Sequence, residues 1–375
     1  MNPTDFIATA CQTLDLSTAE ATKLRRRWDN GQKLAAQIKN DDVRIATTPK
    51  SVVMRRDKVT LYRCTPPAGR TAAALRTPVL VAYGLVGRWT MADLQPDRSL
   101  IKNLLAQGCD VYVVDWGNPS RADRWLAMDD YVGDYLDACI EHIVAETGVD
   151  RINLLGICEG GVFTLCYAAL FPQRVRNLIV TITPVDFHAD QREDRADRGF
   201  VNLWTRSLEP SDIERLVDSC GYVSGPFMGL VFSALTPAKT LTKYNLDLLD
   251  VLDDEARLRN FLHMEQWLAD RPHHPGEAAR QFFVDLYRHN DLAEGRFQLC
   301  GRTVQLADVR MPVLNIYALD DHIVPPPCSA ALGQLVGTRD YEELPLPGGH
   351  VGVFVSGKSQ GIVGKKVMSW LRERE

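Results

Sequence analysis

The chain has 375 residues, of which 45% are hydrophobic and 24% charged, with a net charge of −5 at pH 7. That composition is ordinary for a globular protein with a full core, and an acidic balance without a long basic run argues against nucleic acid as the main partner. No segment has the roughly 18 consecutive apolar residues of a membrane span, and the opening "MNPTDFIATACQTLDL" lacks the basic-then-apolar order of a secretion signal. The nine cysteines form no C-x-x-C pair, which argues against a zinc site and a disulfide framework and leads us to expect a reducing cytoplasm.

In chain order, residues 1–50 are rich in helix formers and read as an N-terminal helical segment. "DKVTLYRC" (57–64) alternates like an edge strand. "TPVLVAYG" (77–84), "CDVYVVDWG" (109–117), "INLLGIC" (152–158), "VRNLIVTIT" (175–183) and "MPVLNIYAL" (311–319) are short continuous apolar runs. Such runs suit strands buried on both faces, as in a parallel sheet. Helical text lies between them: "RSLIKNLLAQG" ends at Gly108, and "MDDYVGDYLDACIEHIVAETG" opens on two acids and ends at Gly148. The alternation implies an α/β fold with a mostly parallel sheet. It breaks between residues 187 and 308, where "YNLDLLDVLDD" (244–254) and "LRNFLHMEQWLADRP" (258–272) read as helices. We therefore expect a core of residues 51–186 and 309–375, with 187–308 inserted as a mainly helical cap.

The segment "NLLGICEGGVF" (153–163) carries the chemistry. Gly156-Ile157-Cys158-Glu159-Gly160 has the G-x-S-x-G frame of a serine-hydrolase nucleophile elbow, with cysteine in place of serine. Such an elbow needs a buried strand, a sharp turn bearing the nucleophile and a following helix, and the flanking text supplies all three. The helix N-terminus directs its free N–H groups at Cys158, which favours a thiolate. The backbone N–H of Glu159 is then an oxyanion donor. In this fold the order is nucleophile, acid, histidine. Of the eight histidines, only His322 and His350 follow the last core strands. "LPLPGGHVGVF" puts His350 in a Gly-rich loop after a short strand, and "YALDDHIVPP" puts Asp320 and Asp321 at the end of a buried one. The G-x-S-x-G match at Gly357–Gly361 has no histidine after it, so Ser359 is rejected as the nucleophile.

Together "LLGICEGG", "TPVDF", "LNIYALDDHIVPP", "GGHVGVFVSGK" and "DVYVVDWG" resemble the polyhydroxyalkanoate synthases, from about Thr48 to the C-terminus. The short chain is most similar to the two-component, class III type. The resemblance implies an α/β-hydrolase fold and an acyltransferase that polymerises (R)-3-hydroxyacyl-CoA, most simply 3-hydroxybutyryl-CoA, releasing CoA and using no cofactor and no metal. It implies Cys158 as nucleophile, His350 as base and Asp321 as acid, the last either orienting His350 or helping to activate a hydroxyl. His322 matches a family position at the substrate site. The resemblance further implies a growing polyester chain, a small helical second subunit or else a homodimer, and a place at the surface of polyester granules. Two departures stand out. The family usually has Gln after the cysteine, where this chain has Glu159, a carboxylate that would oppose the thiolate unless it points away or is paired. The loop "YGLVGRWTMADLQ" also differs from the family pattern; the second oxyanion donor is expected there, near Leu85 or at Val86. A thioesterase or esterase, and an inactive granule-binding homologue, are the competing readings.

Overall fold

A computed structural model describes residues 18–38, 40–66, 75–191, 199–235, 251 and 254–375. Much of "YNLDLLDVLDD" and the first part of the N-terminal segment lie outside the described residues. Eight strands form the main sheet: β1 (Lys50–Arg56), β2 (Val59–Cys64), β3 (Val79–Ala82), β4 (Val111–Asp115), β5 (Ile152–Ile157), β6 (Val175–Thr181), β7 (Val313–Ala318) and β8 (Tyr341–Leu346). Their order across the sheet is β1-β2-β4-β3-β5-β6-β7-β8. From β4 to β8 every neighbouring pair is parallel, whereas β1 and β2 run antiparallel.

The continuous apolar runs became the central strands because both of their faces are covered. Every residue of β3, β5 and β7 is buried. The asparagines within these strands are paired: Asn177 Nδ2 donates to Asn153 Oδ1 at 2.8 Å, and Asn315 Nδ2 donates to Ser329 O at 2.9 Å. The expected edge position of 57–64 is corrected: β2 pairs with β1 on one side and β4 on the other, and the edge strand is β1. Strand β1 reads KSVVMRR and is half-exposed, so its apolar signal is weak.

Helix α1 (Thr18–Gln37) precedes the sheet. Helix α2 (Leu100–Gln107) starts at Ser99, whose hydroxyl accepts from Lys102 N at 3.0 Å, and ends at Gly108, whose φ of 111° is open to glycine. Helix α3 (Asp137–Thr147) ends at the left-handed Gly148. Helix α4 (Glu159–Leu170) is buried along its whole length, which explains why its sequence is apolar all round. The C-terminal α5 (Gly357–Arg372) packs on α2, and Asn103 Nδ2 donates to Gln360 Oε1 at 2.9 Å. Ser359 is buried in the first turn of α5.

Between β6 and β7 the described residues are mainly helical: 200–207, 210–220, 225–235, 255–269 and 276–280. A two-residue ribbon joins His274–Pro275 to Tyr222–Val223 within this insertion. Among the described residues no helix is long and apolar enough to cross a membrane.

Candidate active site

Cys158 sits at the apex between β5 and α4 with φ 55° and ψ −124°, a conformation that a non-glycine residue adopts only under constraint. The constraint is visible. Cys158 N donates to Thr181 O at 2.9 Å, and Gly161 N donates to Cys158 O at 2.9 Å. The flanking glycines are demanded by close approach: a Cβ on Gly160 would lie 2.3 Å from Ala82 O, and one on Gly156 would lie 2.1 Å from Thr164 Oγ1. The result holds the thiol half-exposed at the N-terminus of a buried helix. Other cysteines are placed differently: burial pushes the thiols of Cys64, Cys139 and Cys328 up to about 12.

Asp321 and His350 come from the loops after β7 and β8, which are neighbours in the sheet. Asp321 Oδ1 accepts from Ile323 N and Val324 N, each at 2.9 Å, and Oδ2 lies 2.7 Å from His350 Nδ1. Cys158 and His350 line the same cavity, and the Cys158 sulfur is among the groups acting on the His350 ring. Burial works against a charged ring, but the Asp321 carboxylate and the Cys158 sulfur outweigh it and push the His350 pKa up to about 10. The structure thus places Cys158 on the same cavity as the hydrogen-bonded His350–Asp321 pair. Asp320 does not join it: the side chain is exposed and accepts from Gly348 N at 2.9 Å. His322 is half-buried in the same turn and does not line the adjoining cavity.

That cavity has a volume of about 310 Å³ and lies between the sheet and the helical insertion. Cys158 and His350 are at its floor, and Met228, Phe232, Trp267 and Phe283 of the insertion are among its walls. Arg271 also faces it, with its guanidinium carbon 5.0 Å from the Phe232 ring centre.

Glu159 is the feature that sequence reasoning left open. Its side chain is fully buried and is paired rather than turned away. Oε2 accepts from Leu85 N at 2.5 Å and Val86 N at 3.1 Å, while Oε1 lies 2.8 Å from His274 Nε2. The Val86 N–H, expected as the second oxyanion donor, is therefore engaged by the Glu159 carboxylate. A Cβ on Gly84 would lie 2.5 Å from Glu159 Cβ, so this loop glycine is what lets the side chain in. The available signal was the buried acid itself, because a carboxylate inside an elbow needs a partner; which histidine supplies it depends on how the insertion folds back.

The elbow, the strand order and the acid and histidine on successive loops define an α/β-hydrolase-fold protein, and an alpha/beta hydrolase fold family model matches residues 77–356. A soluble variant of monoglyceride lipase from Saccharomyces cerevisiae has the same fold, with a TM-score of 0.57 at 15% identity over 88% of this chain and 97% of that one. The sequence places the chain more closely. It is 42% identical to the poly(3-hydroxyalkanoate) polymerase subunit PhaC of Allochromatium vinosum, over 92% of this chain and 94% of that protein. The PhaC of Synechocystis sp. is 41% identical over 96% of this chain and 94% of its own length, and that of Haloferax mediterranei is 35% identical over 93% and 70%. The chain belongs to the poly(3-hydroxyalkanoate) polymerase family of acyltransferases.

Proposed function

We propose that the chain polymerises (R)-3-hydroxyacyl-CoA through an acyl-cysteine. The observation that carries this reading is the hydrogen-bonded His350–Asp321 pair sharing one largely apolar cavity with Cys158. Cys158 gives its proton to His350, and the sulfur attacks the thioester carbonyl. The tetrahedral oxyanion faces the Glu159 N–H at the start of α4. CoA leaves as a thiolate and takes the proton from His350. The 3-hydroxyl of another unit then gives its proton to His350 and attacks the acyl-cysteine, which forms an ester and frees the sulfur. Atoms balance with one CoA released per ester, and no cofactor or metal is called for. Asp321 fixes the ring so that one nitrogen serves the sulfur and later the hydroxyl.

The helical insertion acts as the cap that keeps water from the acyl-enzyme. We assign a small helical second subunit as the partner that favours the open cap, and the polyester granule surface as the place of work. The test is product analysis. Purified chain given (R)-3-hydroxybutyryl-CoA should release CoA and form polyester. Free 3-hydroxybutyrate in amounts equal to the CoA would instead mean a thioesterase, and no CoA release, with or without the second subunit, would mean an inactive homologue.

A further inference from the structure

The buried pair Glu159–His274 lies beside the nucleophile, and nothing in the mechanism above uses it. Glu159 belongs to the core, as the residue after Cys158. His274 belongs to the insertion, on the ribbon with Tyr222–Val223. Their side chains are 0% and 2% exposed and meet at 2.8 Å. The imidazole is held from behind: it stacks on Phe282 with ring centres 5.8 Å apart and an interplanar angle of 26°. Its Nδ1 lies 3.3 Å from Pro275 O, so each ring nitrogen has an oxygen beside it.

A carboxylate here poses an electrostatic problem. Acylation of Cys158 develops negative charge on an oxygen close to the elbow, and donors aimed at that charge are what lower the barrier. A bare carboxylate on the same loop would repel it, and the low polarity of the cavity would strengthen that repulsion. Yet the carboxylate also does something useful, since its Oε2 gathers the Leu85 and Val86 N–H groups and so fixes the loop that walls the reaction space. Accepting those two bonds needs an oxygen; it does not need a charge.

We propose that His274 is a positioning residue for the acylation of Cys158: acting through Glu159, it offsets the carboxylate's charge and holds its oxygens on the 85–86 loop, so that closure of the insertion and readiness of the acylation site are one event. This rests on the reading of Cys158 as nucleophile. Two consequences separate it from a purely structural role. His274→Ala should be harmful because it leaves the Glu159 charge exposed to the oxyanion. Glu159→Gln should remove the need for His274, because the amide oxygen still accepts from Leu85 and Val86 and carries no charge.

The experiment measures single-turnover acylation of Cys158 by p-nitrophenyl acetate and by (R)-3-hydroxybutyryl-CoA. The wild type, His274→Ala, Glu159→Gln and the double variant are compared, with amide hydrogen exchange read on the peptide spanning residues 84–87. His274→Ala should lower the acylation rate by at least about tenfold, on the scale at which losing one oxyanion donor costs roughly 10²–10³, while substrate affinity changes little and the loop exchanges faster. The double variant should acylate faster than His274→Ala and should match Glu159→Gln alone in both acylation rate and loop protection. An unaffected His274→Ala, a double variant no better than His274→Ala, or a gain on removing the pair would each overturn the proposal. If the wild type is acylated by neither substrate, the nucleophile reading itself has failed; acylation by the ester with no reaction of the thioester removes only the substrate assignment.

Discussion

Asp321→Asn tests what the acid does. In the native site Asp321 Oδ1 holds two backbone N–H groups at 2.9 Å and Oδ2 holds His350 Nδ1 at 2.7 Å. An asparagine keeps an oxygen for the two amides, so the turn survives. Its NH₂ then faces Nδ1, and two donors collide unless the ring gives up that proton. The doubly protonated ring is thereby excluded, and the remaining proton moves to the nitrogen facing Cys158, where it blocks proton acceptance. The magnitude follows from the raised His350 pKa. Burial opposes the charge, yet the Asp321 carboxylate and the Cys158 sulfur carry the value from 6.5 to about 10. At about 1.36 kcal/mol per tenfold, that is on the order of 5 kcal/mol in favour of the charged ring. Removing the carboxylate leaves burial with less opposition, so the ring should be neutral at pH 7. Nuclear magnetic resonance of labelled histidine Cε1 reads this directly: the native ring should lose its proton near 10, and the variant's far lower. The sign for stability follows. A raised folded-state pKa stabilises the fold fully below the unfolded value of 6.5, and that contribution is lost as pH rises through about 10. The urea midpoint of the native protein should therefore fall across that window, and that of the variant should fall less. Acylation should drop by roughly 10²–10⁴, the upper figure being the scale of the same acid-to-amide change in a serine-protease triad. A variant whose His350 still titrates near 10, or which acylates normally and only elongates slowly, would refute this reasoning and return Asp321 to a role in hydroxyl activation.

Cys158→Ala should abolish CoA release from 3-hydroxybutyryl-CoA, and Cys158→Ser should keep at most a trace; near-normal turnover of the alanine variant would remove the nucleophile assignment. Gly160→Ala puts a Cβ 2.3 Å from Ala82 O and 2.5 Å from Tyr83 C. Backbone cannot yield cheaply, so the unfolding free energy from urea denaturation should drop by about the 1–3 kcal/mol typical of overpacking, against no change if the elbow is loose. A small helical second subunit should shorten the lag and raise the rate of the purified chain; a hundredfold activation needs only about 2.7 kcal/mol of preferential binding to the open form. Lag-free full activity of the chain alone would count against that partner.

The elbow was legible because its parts are local. A buried strand, two glycines around a cysteine and an apolar helix follow one another in sequence, and each glycine has a steric reason in Thr164 Oγ1 or Ala82 O. Asp321 and His350 were legible because parallel strands deliver their C-terminal loops to one edge, so chain order along β7 and β8 becomes adjacency in space. Strand β1 was hidden by its charges, since an exposed edge needs few apolar residues. The partner of Glu159 was hidden for a different reason. His274 lies 115 residues away in sequence, and only the return of the insertion over the sheet brings it to 2.8 Å. Likewise Trp267 and Arg271 reach the cavity through the tertiary path of the insertion, which no periodicity encodes.

The cysteine makes chemical sense within this setting. In the proposed reaction, moving an acyl group from CoA sulfur to Cys158 sulfur would exchange one thioester for another, so little free energy would be lost and the acyl group would stay activated for an alcohol. An oxygen nucleophile in the same elbow would drop the acyl group to an ester, and passing it on to another alcohol would then have no thioester driving force. The activated intermediate is also open to water, so the cavity must favour one hydroxyl over another. Its walls include Met228, Phe232, Trp267 and Phe283. Water gains nothing from such walls, whereas a hydroxyl carried on an acyl chain brings apolar surface worth about 0.8 kcal/mol for each buried CH₂. The same insertion that supplies these walls supplies His274 to Glu159. Under the proposed function, excluding water and readying the elbow would then depend on one closure, which is the property a polymerising acyltransferase needs and a hydrolase does not.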